Sequence, residues 1–92
     1  MTKTVQVRIT GLVQGVGYRA WTEQAAKQRG LSGWVRNRRD GSVEALLSGA
    51  DDKVADLLGH LWQGPSAARV ERVEAGAAPA PMQLGFRTLP TA

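Results

Sequence analysis

Cysteine is absent from the sequence, and histidine occurs only once, as His60. Without cysteine the chain can form neither a disulfide framework nor a thiolate metal site. We interpret Asp51, Asp52 and Asp56 as helix-start and surface charges, because they do not have the spacing of metal ligands. We expect His60 to lie beside an apolar helical stripe and to be exposed to solvent. These absences predict a protein that uses no metal and no other cofactor.

Long apolar segments are absent as well. Residues 1–8 lack the apolar run of a signal peptide, and no stretch approaches the roughly 20 apolar residues of a membrane span. The chain has 92 residues, 42% of them hydrophobic, which fits one globular domain over residues 1–92. We therefore expect a cytoplasmic monomer that does not act at a membrane.

Acidic residues are fewer than basic ones, eight against twelve, so the net charge is +4. A basic chain favours anionic partners, but the charge does not choose among nucleic acid, a membrane surface and a small phosphorylated molecule. Arginine outnumbers lysine nine to three, which suits forked recognition of phosphate or carboxylate oxygens. Genomic base composition is the alternative explanation of that ratio.

Hydrophobic periodicity predicts four main strands and two helices in the order β-α-β-β-α-β. This order predicts an α+β, ferredoxin-like sandwich, in which two helices cover one face of an antiparallel sheet and the first and third strands lie at its centre. The segment 75–83 is predicted to be a loop and the segment 84–89 to add a short edge strand. The predicted strands are residues 4–10, 31–37, 42–48 and 69–74, and the predicted helices are residues 18–29 and a second helix that begins at 50–52 and stops before 64–66.

Two local signals refine this prediction. The pair Asp40-Gly41 between the second and third strands is typical of a hairpin turn. Val70 and Val73 break strict alternation in the fourth strand, which indicates a β-bulge. The fold itself does not decide the function, because this architecture hosts enzymes, RNA binders and regulatory modules.

A glycine-rich segment, residues 11–17, joins the first strand to the first helix. Its glycines allow successive backbone N–H groups to converge, and the start of the helix adds unpaired donors and a favourable dipole. The segment therefore predicts a site for a phosphate-sized anion, although an ordinary tight connection has the same composition. It matches neither the P-loop nor the dinucleotide-binding pattern.

Arg19 and Asn37 are the polar residues that point to chemistry. A cation in the first helical turn opposes the helix dipole, so Arg19 is favourable there if an anion lies between it and the helix end. The alternative is an i,i+4 ion pair with Glu23. The amide of Asn37, at the end of the second strand, can donate one hydrogen bond and accept another, which suits holding a water molecule, or it can simply begin the turn.

Three arginines, Arg36, Arg38 and Arg39, surround Asn37. They either raise the local potential toward an anionic substrate or form a solvated hairpin tip. With the high pI they also leave a nucleic-acid-binding module as an alternative. The first and third strands lack the aromatic pair that would stack on bases, and we interpret Trp21 and Trp34 as packing residues. We therefore expect no nucleic-acid partner.

Three motifs occur in order: GLVQGVGYR at residues 11–19, GLSGWVRN at residues 30–37 and DGSVE at residues 40–44. Together they resemble the acylphosphatases, and the resemblance implies a ferredoxin-like fold that hydrolyses small acyl phosphates to a carboxylate and phosphate. A similar domain also stands at the front of larger carbamoyl-transfer maturation proteins. Because the zinc-finger cysteines of those proteins are absent here, we expect a stand-alone enzyme.

The resemblance also implies roles for individual residues. Arg19 matches the phosphate-binding arginine of the family and Asn37 its water-orienting asparagine. Many members carry phenylalanine where this chain has a tyrosine, a change that we expect to preserve packing. The backbone cradle for the phosphate corresponds to Gln14, Gly15, Val16, Gly17 and Tyr18.

The expected reaction needs few catalytic groups. An acyl phosphate loses a carboxylate, a stable anion that requires no proton from a general acid. The phosphoryl group needs charge stabilisation and an attacking water held in line. We therefore predict direct attack by water, with no metal and no covalent intermediate.

Overall fold

A computed structural model describes all 92 residues of the chain. The first six elements have the predicted order βαββαβ, and their ends differ from the predicted ends by at most three residues. Neither helix has the length and apolarity that crossing a membrane requires. The elements are β1 Thr2–Leu12, α1 Tyr18–Gln28, β2 Ser32–Asn37, β3 Val43–Ala50, α2 Asp51–Leu61, β4 Arg69–Ala77 and β5 Phe86–Thr88.

The strands form one sheet in the order β4-β1-β3-β2-β5, which confirms that β1 and β3 are central. The predicted antiparallel pairing holds for β1 to β4. The edge strand β5 differs, because it runs parallel to β2, from Gly33 opposite Phe86 to Val35 opposite Thr88. β4 and β5 lie at opposite edges of the sheet, and residues 78–85 carry the chain from one edge to the other.

The core lies between the sheet and the two helices. Alternate residues of the central strands point toward the helices, as the period of two predicts. Three side chains of α2, Val54, Leu57 and Leu61, are fully buried against them, and each such leucine or valine stabilises the fold by about 1.5–3 kcal/mol relative to an exposed one. These core side chains are Val5, Val7, Ile9, Val43, Ala45, Leu47, Val54, Leu57 and Leu61.

The predicted bulge in β4 is confirmed. Thr10 lies opposite Arg72 and Gly11 opposite Val70, so Glu71 is the extra residue. Gly11 has φ of 121°, and a Cβ there would lie 2.2 Å from the carbonyl oxygen of Arg69, so only glycine fits. The predicted loop from residue 75 is wrong for its first three residues, because β4 continues to residue 77. Alanine and glycine have low strand propensity, and pairing with β1 overrides it.

Candidate active site

The loop between β1 and α1 exposes a run of backbone donors. Gly15 and Gly17 adopt left-handed conformations, with φ of 74° and 81°. A Cβ at either position would meet nothing within 4 Å, so the backbone conformation rather than space favours glycine. No backbone N–H from Gln14 to Ala20 donates to a backbone carbonyl. The loop and the first turn of α1 therefore present a continuous set of free N–H groups.

The positive end of the α1 dipole has no negative side chain beside it. Its N-cap residue, Gly17, provides no side-chain cap, and the first turn contains no acidic residue. The positive end of the helix dipole is therefore open to an anion.

Arg19 is half-buried beside this helix end and has no ion-pair partner. The alternative pair with Glu23 does not form. Instead Glu23 accepts a hydrogen bond of 2.8 Å from Oγ1 of Thr88 and lies 3.5 Å from Nζ of Lys27. The guanidinium of Arg19 thus remains free for a ligand.

Asn37 ends β2 on the face that the helices cover, two residues after the buried Val35. Its side-chain Oδ1 is buried and has no hydrogen-bond partner. The turn does not use this amide, because Asp40 caps it: Oδ1 of Asp40 accepts from the N–H of Ser42 at 2.9 Å and from its Oγ at 2.6 Å. Leaving a buried acceptor unpaired costs about 1–3 kcal/mol, so the Asn37 oxygen points to a ligand or an ordered water.

The loop, Arg19 and Asn37 line one cleft of about 350 Å³. Of the residues predicted for the site, Val16 does not line the cleft but packs against the core instead. The lining also contains Glu23 and Thr88, for which the sequence predicts no role in the site. The lining residues are Val13, Gln14, Gly15, Gly17, Tyr18, Arg19, Ala20, Glu23, Asn37 and Thr88.

The side chain of Gln14 fixes the loop to the hairpin after Asn37. Its Nε2 donates to the carbonyl oxygens of Arg38 and Ser42, at 2.7 and 2.8 Å. The sequence predicts only a backbone contact for Gln14. Its side-chain role is not predictable from a motif, because both acceptors are backbone atoms of a distant segment.

The arginines around Asn37 are largely neutralised. Nε of Arg36 lies 2.8 Å and Nη1 of Arg38 lies 3.3 Å from Oε1 of Glu44. Desolvation raises the pKa of Glu44, but hydrogen bonds from Arg36 and Gln6 and the two arginine charges outweigh it and hold the pKa below its usual value. Only Arg39 keeps an unpaired guanidinium, so the cluster is chiefly an ion-pair network on the surface of the sheet.

Comparisons with known proteins identify the family of this chain. The sequence model of the acylphosphatase family matches residues 5–88. An acylphosphatase of Azorhizobium caulinodans is 52% identical over 92 residues, 99% of each chain. One of Rhodopseudomonas palustris is 60% identical over 70 residues, 76% of this chain and 71% of the relative. The solved acylphosphatase structure from Coxiella burnetii superimposes with a TM-score of 0.92 at 32% identity, covering 96% of this chain and 93% of the other. The chain therefore belongs to the acylphosphatase family, the enzymes that hydrolyse acyl phosphates.

Proposed function

We propose that the cleft binds the phosphoryl group of an acyl phosphate between Arg19 and the backbone N–H groups of residues 14–18, and that Asn37 orients the attacking water. One observation supports this most strongly. The unpaired guanidinium of Arg19 and the buried, unpaired Oδ1 of Asn37 belong to the same cleft. One group suits an anion and the other suits a neutral hydrogen-bond donor such as water.

Arg19 and the N–H groups of the loop contribute mainly by stabilising the charge of the phosphoryl group. The guanidinium can donate two parallel hydrogen bonds to phosphoryl oxygens, and the loop N–H groups bind the remaining ones. The open end of α1 adds a favourable dipole. These donors are already in place before the reaction, so they stabilise the charge on the equatorial oxygens in the transition state without reorganisation.

Positioning is the contribution of Asn37. Its Oδ1 accepts a hydrogen bond from water and directs a lone pair of the water oxygen toward phosphorus. The new bond joins that oxygen to phosphorus, while the bond from phosphorus to the acyl oxygen breaks and its electron pair leaves with the carboxylate. The protons of the water end on the inorganic phosphate, so no general acid is required.

The test is the release of phosphate from benzoyl phosphate by the purified protein in the presence of a chelator. We expect Arg19→Ala to weaken the binding of inorganic phosphate and nearly to abolish turnover. We expect Asn37→Ala to leave phosphate binding intact and to lower kcat by about 10²–10³, the scale for losing one preorganised group.

Arg39→Ala is the matched control, because it removes the same charge from an exposed arginine without an ion pair. It should retain full activity. Full activity in Arg19→Ala or in Asn37→Ala would refute the proposed roles, and a loss of all activity on adding the chelator would refute a metal-free reaction.

A further inference from the structure

The charges that line the cleft are few. Among its lining residues, only Arg19 and Glu23 carry charge. Glu23 follows Arg19 by four residues on α1, which places it about 6 Å further along the helix axis. Its side chain is 32% exposed, so the carboxylate borders both the cleft and solvent.

The carboxylate of Glu23 is held in place and in its ionised form. The hydrogen bond from Thr88 on β5 fixes Oε1, and it is the main reason that the pKa of Glu23 lies below its usual value. Lys27 approaches the other oxygen at 3.5 Å, but its side chain is 59% exposed and does not line the cleft. Water screens such an exposed pair, so Lys27 cancels the charge inside the cleft only in part.

From this charge pattern we propose that Glu23 is a specificity-determining residue that disfavours acyl phosphates whose acyl group carries a second negative charge. The inference rests on the proposed function, because it takes Arg19 as the partner of the phosphoryl group. A second anion in the cleft would find no free cation and would lie near a carboxylate, which is a repulsive element of recognition.

The neighbouring arginines do not offset this repulsion. Arg36 and Arg38 are paired with Glu44, Arg39 is unpaired but exposed, and none of the three lines the cleft. The only cation of the cleft is therefore occupied when one phosphoryl group is bound. Neutral or cationic acyl groups fit this charge pattern, and an acyl group that carries a negative charge of its own does not.

The experiment compares kcat/KM for three substrates of one shape: benzoyl phosphate, 4-carboxybenzoyl phosphate and 4-(aminomethyl)benzoyl phosphate. The unaltered protein should prefer the neutral substrate to the carboxylated one. Glu23→Gln keeps an acceptor for Thr88 and removes the charge. It should raise the ratio of kcat/KM for the carboxylated substrate to kcat/KM for the neutral one by about fivefold, the effect of one unit charge a few ångströms away in water.

Two further variants sharpen the result. Glu23→Lys should favour the carboxylated substrate over the aminated one. Glu74→Gln makes the same charge change at an exposed side chain of β4 and should leave all three ratios unchanged. Because each ratio is measured on one preparation, a variant that folds poorly lowers all three rates together and leaves the ratios readable.

The outcomes separate the two hypotheses. If benzoyl phosphate is hydrolysed but Glu23→Gln has the same substrate ratios as the unaltered protein, the role of Glu23 is refuted and the proposed function stands. If the unaltered protein does not hydrolyse benzoyl phosphate, the proposed function itself fails. A preference that shrinks as salt is added supports the electrostatic origin, and one that salt leaves unchanged contradicts it.

Discussion

Gln14 belongs to the cradle loop, yet its amide nitrogen points out of it. Both hydrogens of Nε2 are donated to the backbone of the β2–β3 hairpin, at Arg38 and Ser42. The loop carries the proposed phosphate donors, and the hairpin follows directly after Asn37. One side chain therefore sets the distance between the two halves of the site, and an error of about 1 Å in such a distance can lower the rate by about 10²-fold.

We expect Gln14→Leu to lower kcat for benzoyl phosphate more than it raises KM, because the phosphate donors remain while their alignment with the water is lost. The loss of two hydrogen bonds should also lower the free energy of unfolding by about 1–3 kcal/mol. Steady-state kinetics and urea unfolding measure the two effects. Gln24→Leu, at an exposed position of α1, is the control. An unchanged kcat in Gln14→Leu would contradict the positioning role.

The sequence predicts part of this site. Local patterns, a cation at a helix start and an amide at a strand end, single out Arg19 and Asn37 but leave an alternative for each. The resemblance to the acylphosphatases favours the site roles, and the fold brings both residues into one cleft. The bonds of Gln14 were not predicted, because a backbone carbonyl has no signature in the sequence. The place of Glu23 in the cleft was missed for a related reason, since it depends on β5, which is 65 residues away at Thr88.

Between elements, a buried polar bond joins the first residue of α1 to the end of α2. The hydroxyl of Tyr18 donates to the carbonyl oxygen of Leu61 at 2.6 Å, in a buried position at the end of α2. Burial raises the pKa of Tyr18, so the hydroxyl stays protonated and keeps donating. The tyrosine thus adds an interaction that a phenylalanine at this position lacks.

We expect Tyr18→Phe to lower the free energy of unfolding by about 0.5–1.5 kcal/mol, the net value of one hydrogen bond, and to leave kcat/KM within about twofold. The backbone N–H of residue 18 stays in the cradle, which is why activity should persist. Chemical denaturation and the benzoyl phosphate assay together check this. A large loss of activity at unchanged stability would show that the hydroxyl acts in the site.

The order of the helices and strands is predictable from the sequence because each type of element has its own period of apolar residues. The end of β4 and the direction of β5 were not. Residues 75–77 are alanine and glycine, which form a strand only because β1 supplies a partner. Three residues of β5 are too few for a pattern, and their parallel direction follows from the crossing segment before them.

For the molecule as a whole, three carboxyl groups link stability to pH. The pKa of Glu23 is lowered mainly by Thr88, and that of Asp40 mainly by hydrogen bonds from Ser42. The pKa of Glu44 is lowered by its arginine partners despite desolvation. Each group binds its proton less readily in the folded state than in the unfolded state. Their stabilisation is therefore complete above the unfolded pKa values, about 4, and is lost as the pH falls through the folded ones.

We expect Glu44→Gln to reveal this linkage. The variant should be less stable than the unaltered protein at pH 7, and the difference in stability should narrow as the pH falls and Glu44 takes up its proton. Unfolding by urea at several pH values measures the gap. Glu74→Gln, at an exposed residue without an ion pair, should show no such trend. A gap for Glu44→Gln that is constant from pH 7 to pH 3 would refute the linkage.

The missing side-chain cap at the start of α1 affects the stability of the protein. A helix normally obtains 0.5–2 kcal/mol, typically about 1 kcal/mol, from a side chain that caps its first turn, and this helix has none at Gly17. In the proposed function a bound phosphate takes the position of that missing cap, so phosphate binding would stabilise the first turn of α1. Inorganic phosphate, the product, should then raise the melting temperature, with a stabilisation of about 2.7 kcal/mol at a concentration one hundred times Kd.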